Sequence, residues 1–249
     1  MTTPAVAPAQ VHHRRAWIRK LFTFWTLIAL VTAIAVGVFA DVGEDVAEKS
    51  TTAFDEAVRV WMIAHRTPLL YKIAYFITWA GSPLAMVLLA VVAGAWFYRR
   101  HGHRKAGIFV AAPAIGGLLS GSVKQLYGRQ RPPGGILLNE RTYSFPSGHS
   151  LTSAAVMVTL CYVMARERII SWPTAIAIGG LVPFVVGLSR LYLDVHWTTD
   201  VVGGWTAGLF IACLSAAMYE YLRRDAPSAV VDAAVEQKTA DGVSTTSAD

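Results

Sequence analysis

The chain has 249 residues, 54% of them hydrophobic and 15% charged, with a formal net charge of +6. The charged share lies well below the ~25% of ordinary soluble domains, and apolar runs long enough to cross a bilayer recur, which points away from a soluble enzyme. The positive charge sits in short clusters flanking apolar segments, as membrane orientation requires, so a nucleic-acid partner is not expected.

Residues 1–20 read as a disordered, basic, cytoplasmic N-terminus, rich in Ala, Pro and Thr and then in cations at Arg14, Arg15, Arg19 and Lys20. The apolar stretch 21–40 exceeds the ~7–15 residues of a signal-peptide core and is expected to stay as a first span. Residues 41–68 are polar and acid-rich. Within them Phe54, Val58, Trp61 and Met62 fall at helical spacing, with Asp55, Glu56 and Arg59 between. This predicts a short amphipathic extracytoplasmic helix, either lying on the membrane surface or packed on the outer ends of the spans.

A second span covers 83–98 and ends at Arg99 and Arg100; residues 69–79 are also apolar and could extend it. The link with His101, His103, Arg104 and Lys105 has no third ligand beside its histidines and reads as a solvated loop rather than a metal site. A third span covers 106–123 and stops at Lys124. The loop after it holds Arg129, Arg131, Pro132, Pro133, Gly134, Gly135 and Arg141. The fourth span starts near His149 and ends near Arg166, the fifth covers 172–188 and closes at Ser189 and Arg190, and the sixth runs from Asp200 to Arg223 and Arg224. Residues 225–249 read as a disordered cytoplasmic tail. The expected fold is all-α: a polytopic membrane bundle of about six transmembrane helices over 21–224, plus the short amphipathic helix.

Gly117 with Gly121, and Gly204 with Gly208, have the spacing that lets membrane helices approach closely. Cys161 and Cys213 lie inside apolar segments and read as packing thiols. With the N-terminus inside, the clusters at 14–20, 99–105, 166–168 and 223–224 all face the cytoplasm. Both termini are then cytoplasmic, and Lys124, His149, Arg190, His196 and Asp200 converge on the extracytoplasmic face.

Three polar blocks stand at the ends of the spans: 124–132, 146–149 and 189–200. Breaking a phosphate ester requires that the nonbridging oxygens be neutralised, that a nucleophile attack in line and that the leaving oxygen be protonated. Lys124, Arg131 and Arg190 can supply the positive charge, arginine as a planar fork and lysine as a point charge. Ser147 and Gly148 open the fourth helix, where backbone amides favour an anion and Ser147 adds a hydroxyl. Asp200, four residues after His196, can hold one imidazole nitrogen and leave the other to attack phosphorus. His196 is therefore the expected nucleophile, and His149 the general acid and then base. Asp194 is read as a loop carboxylate that tunes the local field. Arg129 and Arg141 are read as adding attraction for anions without touching the reacting phosphate.

These blocks resemble the signature of the type-2 phosphatidic acid phosphatase family. Lysine, six residues, then Arg-Pro is met by Lys124, Arg131 and Pro132; Pro-Ser-Gly-His by Pro146, Ser147, Gly148 and His149; and the third pattern by Ser189, Arg190, His196 and Asp200. The likeness runs over roughly 21–222. It implies a multi-pass enzyme, expected in a bacterial plasma membrane, with no metal or other cofactor. The implied substrate is a lipid phosphate monoester or diphosphate such as phosphatidic acid, phosphatidylglycerol phosphate or a polyprenyl diphosphate. The implied route is a phosphohistidine on His196, with His149 protonating the leaving group. Thr198 stands where many relatives place Pro. Gly148 stands where some polyprenyl-diphosphate members carry Asp, which leans toward the glycerophospholipid branch. Vanadate-dependent haloperoxidases share the pocket but are soluble. A membrane phosphatase for a soluble ester, or a transporter or sensor binding lipid phosphate, would carry the same blocks.

Overall fold

The computed structural model describes the backbone of residues 8–133 and 142–243, and the side chains of 23–100, 102–133 and 142–223. Gly134, Gly135 and Arg141 lie outside the described residues. The described residues form eight helices and no strand: α1 (Pro8–Glu48), α2 (Thr52–Ala64), α3 (Pro68–Ala80), α4 (Pro83–His101), α5 (His103–Tyr127), α6 (Gly148–Arg166), α7 (Trp172–Tyr192) and α8 (Thr198–Val243). Both α1 and α8 run past the 21–224 unit read from the sequence.

Six helices are long and apolar enough to cross a membrane: Thr23–Glu48 of α1, Pro83–Arg100 of α4, α5, α6, α7 and Thr198–Arg223 of α8. The chain is an all-helical, multi-pass integral membrane protein. Its outward faces carry exposed Leu27, Ile34, Leu88, Val92, Leu118 and Ile176, side chains that hydrocarbon solvates and water does not. The apolar residues 69–79 do not extend the second span. They form the separate helix α3, whose 13 residues reach only about 20 Å against the ~30 Å of a hydrocarbon core. The break falls at Gly81 and Ser82. Ser82 Oγ accepts from Ala85 N at 3.2 Å, and Pro83 takes the first turn of α4, where no amide is required.

Helix α6 is the central strut. Of its spanning window 67% is buried, against 6% for α1. Its closest partner is α8, and glycines make that approach possible. A Cβ on Gly208 would lie 2.4 Å from Leu151 O and 2.6 Å from Ala154 Cβ, and one on Gly204 would lie 2.7 Å from Ser147 O. The other spaced pair behaves differently. Gly117 and Gly121 have nothing within 4 Å of a built Cβ, whereas Gly116 meets Leu151 at 2.9 Å. Spacing alone does not say which face of a helix meets a neighbour, so the close-packing role on α5 belongs to Gly116. Gly208→Val is therefore expected to cost about 1–3 kcal/mol by overpacking, while Gly117→Ala should stay within about 0.5 kcal/mol. Thermal midpoints of the two variants in detergent check this. Both cysteines are buried and free, as packing thiols should be.

All three polar blocks lie at the same end of the bundle. A cluster of Val46, Val123 and Phe145, with Phe39 and Tyr127 against it, pins the segment before the second block under α1 and α5. The opposite end is tied by Arg166, whose guanidinium reaches Glu220 at 2.5 and 3.1 Å.

Helix α2 packs on α7 and α8 with its polar edge inward. Asp55 is buried and Arg59 is half-buried, while Phe54, Val60 and Trp61 are exposed. The two sequence readings of this helix thus describe opposite faces of it: it rests on the ends of the spans and turns an apolar face outward.

Candidate active site

The second block turns the corner into α6. Ser147 is fully buried and is the N-cap of α6, its Oγ accepting from Ser150 N at 3.5 Å. Ser147 N in turn donates to Asp200 O at 2.9 Å, which stitches the second block to the third. Gly148 then opens the first turn, and a Cβ there would meet only Ser120 Oγ, at 3.5 Å. The positive end of the α6 dipole lies at this turn, which the Ser147–Asp200 bond holds beside the third block.

His196 sits in the short connection between α7 and α8 and is buried. Its Nδ1 lies 3.2 Å from Asp200 Oδ2. Its Nε2 lies 3.1 Å from an Arg131 guanidinium nitrogen, which can only donate. The two contacts fix the tautomer: the proton is on Nδ1, and the lone pair on Nε2 points toward the cations. Burial, with Arg131, Arg190 and Lys124 nearby, pushes the His196 imidazolium pKa well below its ordinary ~6.5. A folded-state pKa below the usual value means a neutral ring throughout the physiological range. Labelled histidine spectra of the resting enzyme should therefore show no His196 titration between about pH 5 and 8. A midpoint near 6–7 would mean a solvated imidazole.

Asp200 is completely buried and fully engaged. Oδ1 accepts from Arg129 at 2.7 Å. Oδ2 accepts from Trp197 N at 2.9 Å, from Ser144 Oγ and from His196. A carboxylate so ringed by donors has one orientation, and it passes that orientation to the imidazole.

The cations come from three elements. Arg190, near the end of α7, is 1% exposed and donates to Thr78 Oγ1 of α3 at 2.8 Å. Arg131 donates to Thr142 O at 2.8 Å and Val195 O at 2.7 Å, which ties the first block to the third. Lys124, at the last turn of α5, donates to Tyr143 O and, at 3.4 Å, to Ser144 O. His149, in the first turn of α6, lies within electrostatic reach of Arg190, His196, Arg131 and Lys124. The structure thus brings together all eight sequence-selected residues: Lys124, Arg131, Ser147, Gly148, His149, Arg190, His196 and Asp200. Among the described residues no group of three or more His, Cys, Asp or Glu side chains is arranged to hold a metal ion.

Several neighbours have no place in the blocks. Ser144 bonds Asp200, Thr78 bonds Arg190, and Asp55 on α2 accepts from Arg129, Thr199 N and Thr199 Oγ1. Arg129 is held by two carboxylates, Asp55 at 2.6 Å and Asp200 at 2.7 Å, so it braces the site rather than collecting anions. Asp194 is buried, has a left-handed φ of 59° and takes a two-pronged bond from Arg59 at 2.7 and 3.1 Å. It clamps α2 to the loop before the third-block histidine.

A family model described as the PAP2 superfamily matches residues 105–224, the segment that holds all three blocks. The chain is 32% identical over 175 residues to phosphatidylglycerophosphatase B of Bacillus subtilis, covering 68% of this chain and 85% of that protein. It is 27% identical over 168 residues to an undecaprenyl-diphosphatase of the same organism, covering 65% of this chain and 81% of the relative. Among solved structures it resembles a transmembrane PAP2-type phosphatidylglycerolphosphate phosphatase from Bacillus subtilis. That match has a TM-score of 0.72 and 27% identity, over 76% of this chain and 96% of the other.

Proposed function

The chain belongs to the PAP2 superfamily of membrane lipid phosphatases, and from that premise we propose that it hydrolyses a lipid phosphate through a phosphohistidine on His196. The observation that carries this reading is the pair of contacts on His196. Asp200 holds Nδ1, and Nε2 is left with its lone pair among three cations.

In the first step Nε2 attacks phosphorus, a P–N bond forms and the P–O ester bond breaks. His149 gives its proton to the departing oxygen. In the second step water attacks phosphorus and passes a proton back to His149. The P–N bond breaks and its electron pair returns to Nε2. The sum is ester plus water giving alcohol plus phosphate. Lys124, Arg131, Arg190 and the α6 amides neutralise the equatorial oxygens, the role a metal plays in other phosphoryl-transfer sites. No metal or other cofactor enters this scheme.

The substrate class we infer is a glycerophospholipid phosphate or a polyprenyl diphosphate, on the strength of the named relatives. The site then faces away from the cytoplasm and both termini lie inside, as the cation clusters at 99–105 and 223–224 favour. The 21–224 unit is the catalytic domain, with 1–20 and 225–249 outside it. Phosphate release from purified phosphatidylglycerol phosphate, phosphatidic acid and undecaprenyl diphosphate in detergent, with excess chelator, tests the proposal. Turnover on at least one lipid, undiminished by chelator, is expected. Loss on chelation with recovery on adding one divalent ion would point to another mechanism. Turnover confined to soluble esters would point to another substrate class.

A further inference from the structure

We propose that Asp55, on α2 and outside the three blocks, is a positioning residue for the histidine–carboxylate pair, acting through Arg129. The inference rests on the reading of His196 as nucleophile.

The chain of contacts is continuous. Thr199 N donates to Asp55 Oδ1 at 3.0 Å, and Thr199 Oγ1 donates to Asp55 Oδ2 at 2.7 Å. Arg129 donates to the same Oδ2 at 2.6 Å and reaches Asp200 Oδ1 at 2.7 Å with its other terminal nitrogen. Asp200 Oδ2 meets His196 Nδ1 at 3.2 Å. Asp55 is 1% exposed and Asp200 is fully buried, so neither carboxylate can be satisfied by bulk water. Each needs a donor held in place.

One guanidinium between two buried carboxylates is also a charge device. Asp55 occupies one nitrogen of Arg129 and keeps its charge from being spent wholly on Asp200. Asp200 then retains the negative character needed to offset the positive charge that develops on His196 as Nε2 bonds to phosphorus. The same clamp holds Arg129 on the two carboxylates. Unclamped, a guanidinium so near would compete with Arg131 and Arg190 for phosphate oxygens, or close fully on Asp200 and draw it off the imidazole. Asp55 also bonds the first turn of α8, so it fixes the residue next to Asp200 directly.

The other attachment of α2 supplies the control. Arg59 binds Asp194 and Glu56 and lies over the Trp197 ring at 6.0 Å, and among the described residues it has no hydrogen bond to Asp200 or His196. Arg59→Gln removes the ion pair to Asp194 and leaves both carboxylate contacts of Arg129 in place.

The experiment compares Asp55→Asn, Asp55→Glu, Arg129→Lys and Arg59→Gln in the full chain in detergent. kcat and KM are measured on the best lipid, and the His196 nitrogen spectrum is read on resting enzyme. Asp55→Asn should lower kcat about 10- to 100-fold, the scale for a lost supporting partner, with KM changed far less. Its His196 spectrum should lose the single Nδ1–H tautomer. Arg129→Lys, a point charge that cannot bridge two carboxylates, should show the same spectral change, and this second variant serves if Asp55→Asn does not fold. Asp55→Glu should recover part of kcat, and Arg59→Gln should leave the spectrum as it is. A wild-type His196 spectrum in folded Asp55→Asn would overturn the proposal, as would a wild-type spectrum in Arg129→Lys or an equal fall in kcat for Asp55→Asn and Arg59→Gln. The spectrum needs no turnover, so positioning is read even if His196 proves not to be the nucleophile. That second failure would show separately, as the absence of a phosphohistidine in the wild type.

Discussion

His196→Ala is expected to abolish phosphate release, by more than about 10⁴-fold, the scale on which losing a covalent nucleophile acts. The residue cannot be replaced from nearby. Its Nε2 is the imidazole lone pair that Asp200 orients and that Arg131 already contacts at 3.1 Å. When substrate enters, a phosphate oxygen must take over that Arg131 contact, and the lone pair is then free beside phosphorus. The alanine variant keeps Lys124, Arg131, Arg190 and the α6 amides, so it should still bind the anion. Two measurements check this: acid-labile phosphate on the protein in a quenched single turnover, and lipid-phosphate binding to the inactive variant. Retained binding with no protein-bound phosphate is the expected result. Normal turnover in purified His196→Ala would reject the assignment. Asp200→Asn should cost less, because Trp197 N and Ser144 Oγ still hold the side chain in place.

The blocks were legible because each is local. A Ser-Gly pair opening a helix, and a carboxylate four residues after a histidine, are short-range patterns whose geometry backbone periodicity sets. The start of α4 was legible for the same reason, since Ser82-Pro83 is an N-cap followed by a first-turn proline. The apolar content of 69–79 masked it, because hydropathy averages over a break that one capping hydroxyl enforces. What stayed hidden is pairing between distant elements. Asp55 and Arg129 are 74 residues apart, and Arg190 and Thr78 are 112 apart. One signal was available: Asp55 and Arg59 share a face of α2, one turn apart. Ionisable groups gathered toward one edge of a helix whose opposite face is apolar can mean that the charged edge, not the apolar one, meets the protein. Gly116 shows the same limit on α5, where the spaced glycines lie one residue round from the face that touches α6.

His149→Ala separates protonation from attack, and its effect should depend on the leaving group. On a lipid alkyl phosphate the departing oxygen is strongly basic and needs a proton as the P–O bond breaks. Removing His149 should then cost about 10²–10⁴-fold in kcat. A nitrophenyl phosphate leaves as a weakly basic anion, so formation of the phosphoenzyme should be largely spared. Its breakdown should not be spared, because in the proposed route the same imidazole takes the proton from water in the second step. Phosphate should therefore accumulate on His196 in this variant, seen as a burst of nitrophenol followed by a slow steady rate. The placement of His149 in the first turn of α6, within electrostatic reach of His196 and the three cations, permits both duties from one position. An equal loss on both esters with no burst would mean that His149 serves only to bind the anion. The proton for the leaving oxygen would then have to come from the substrate or from water.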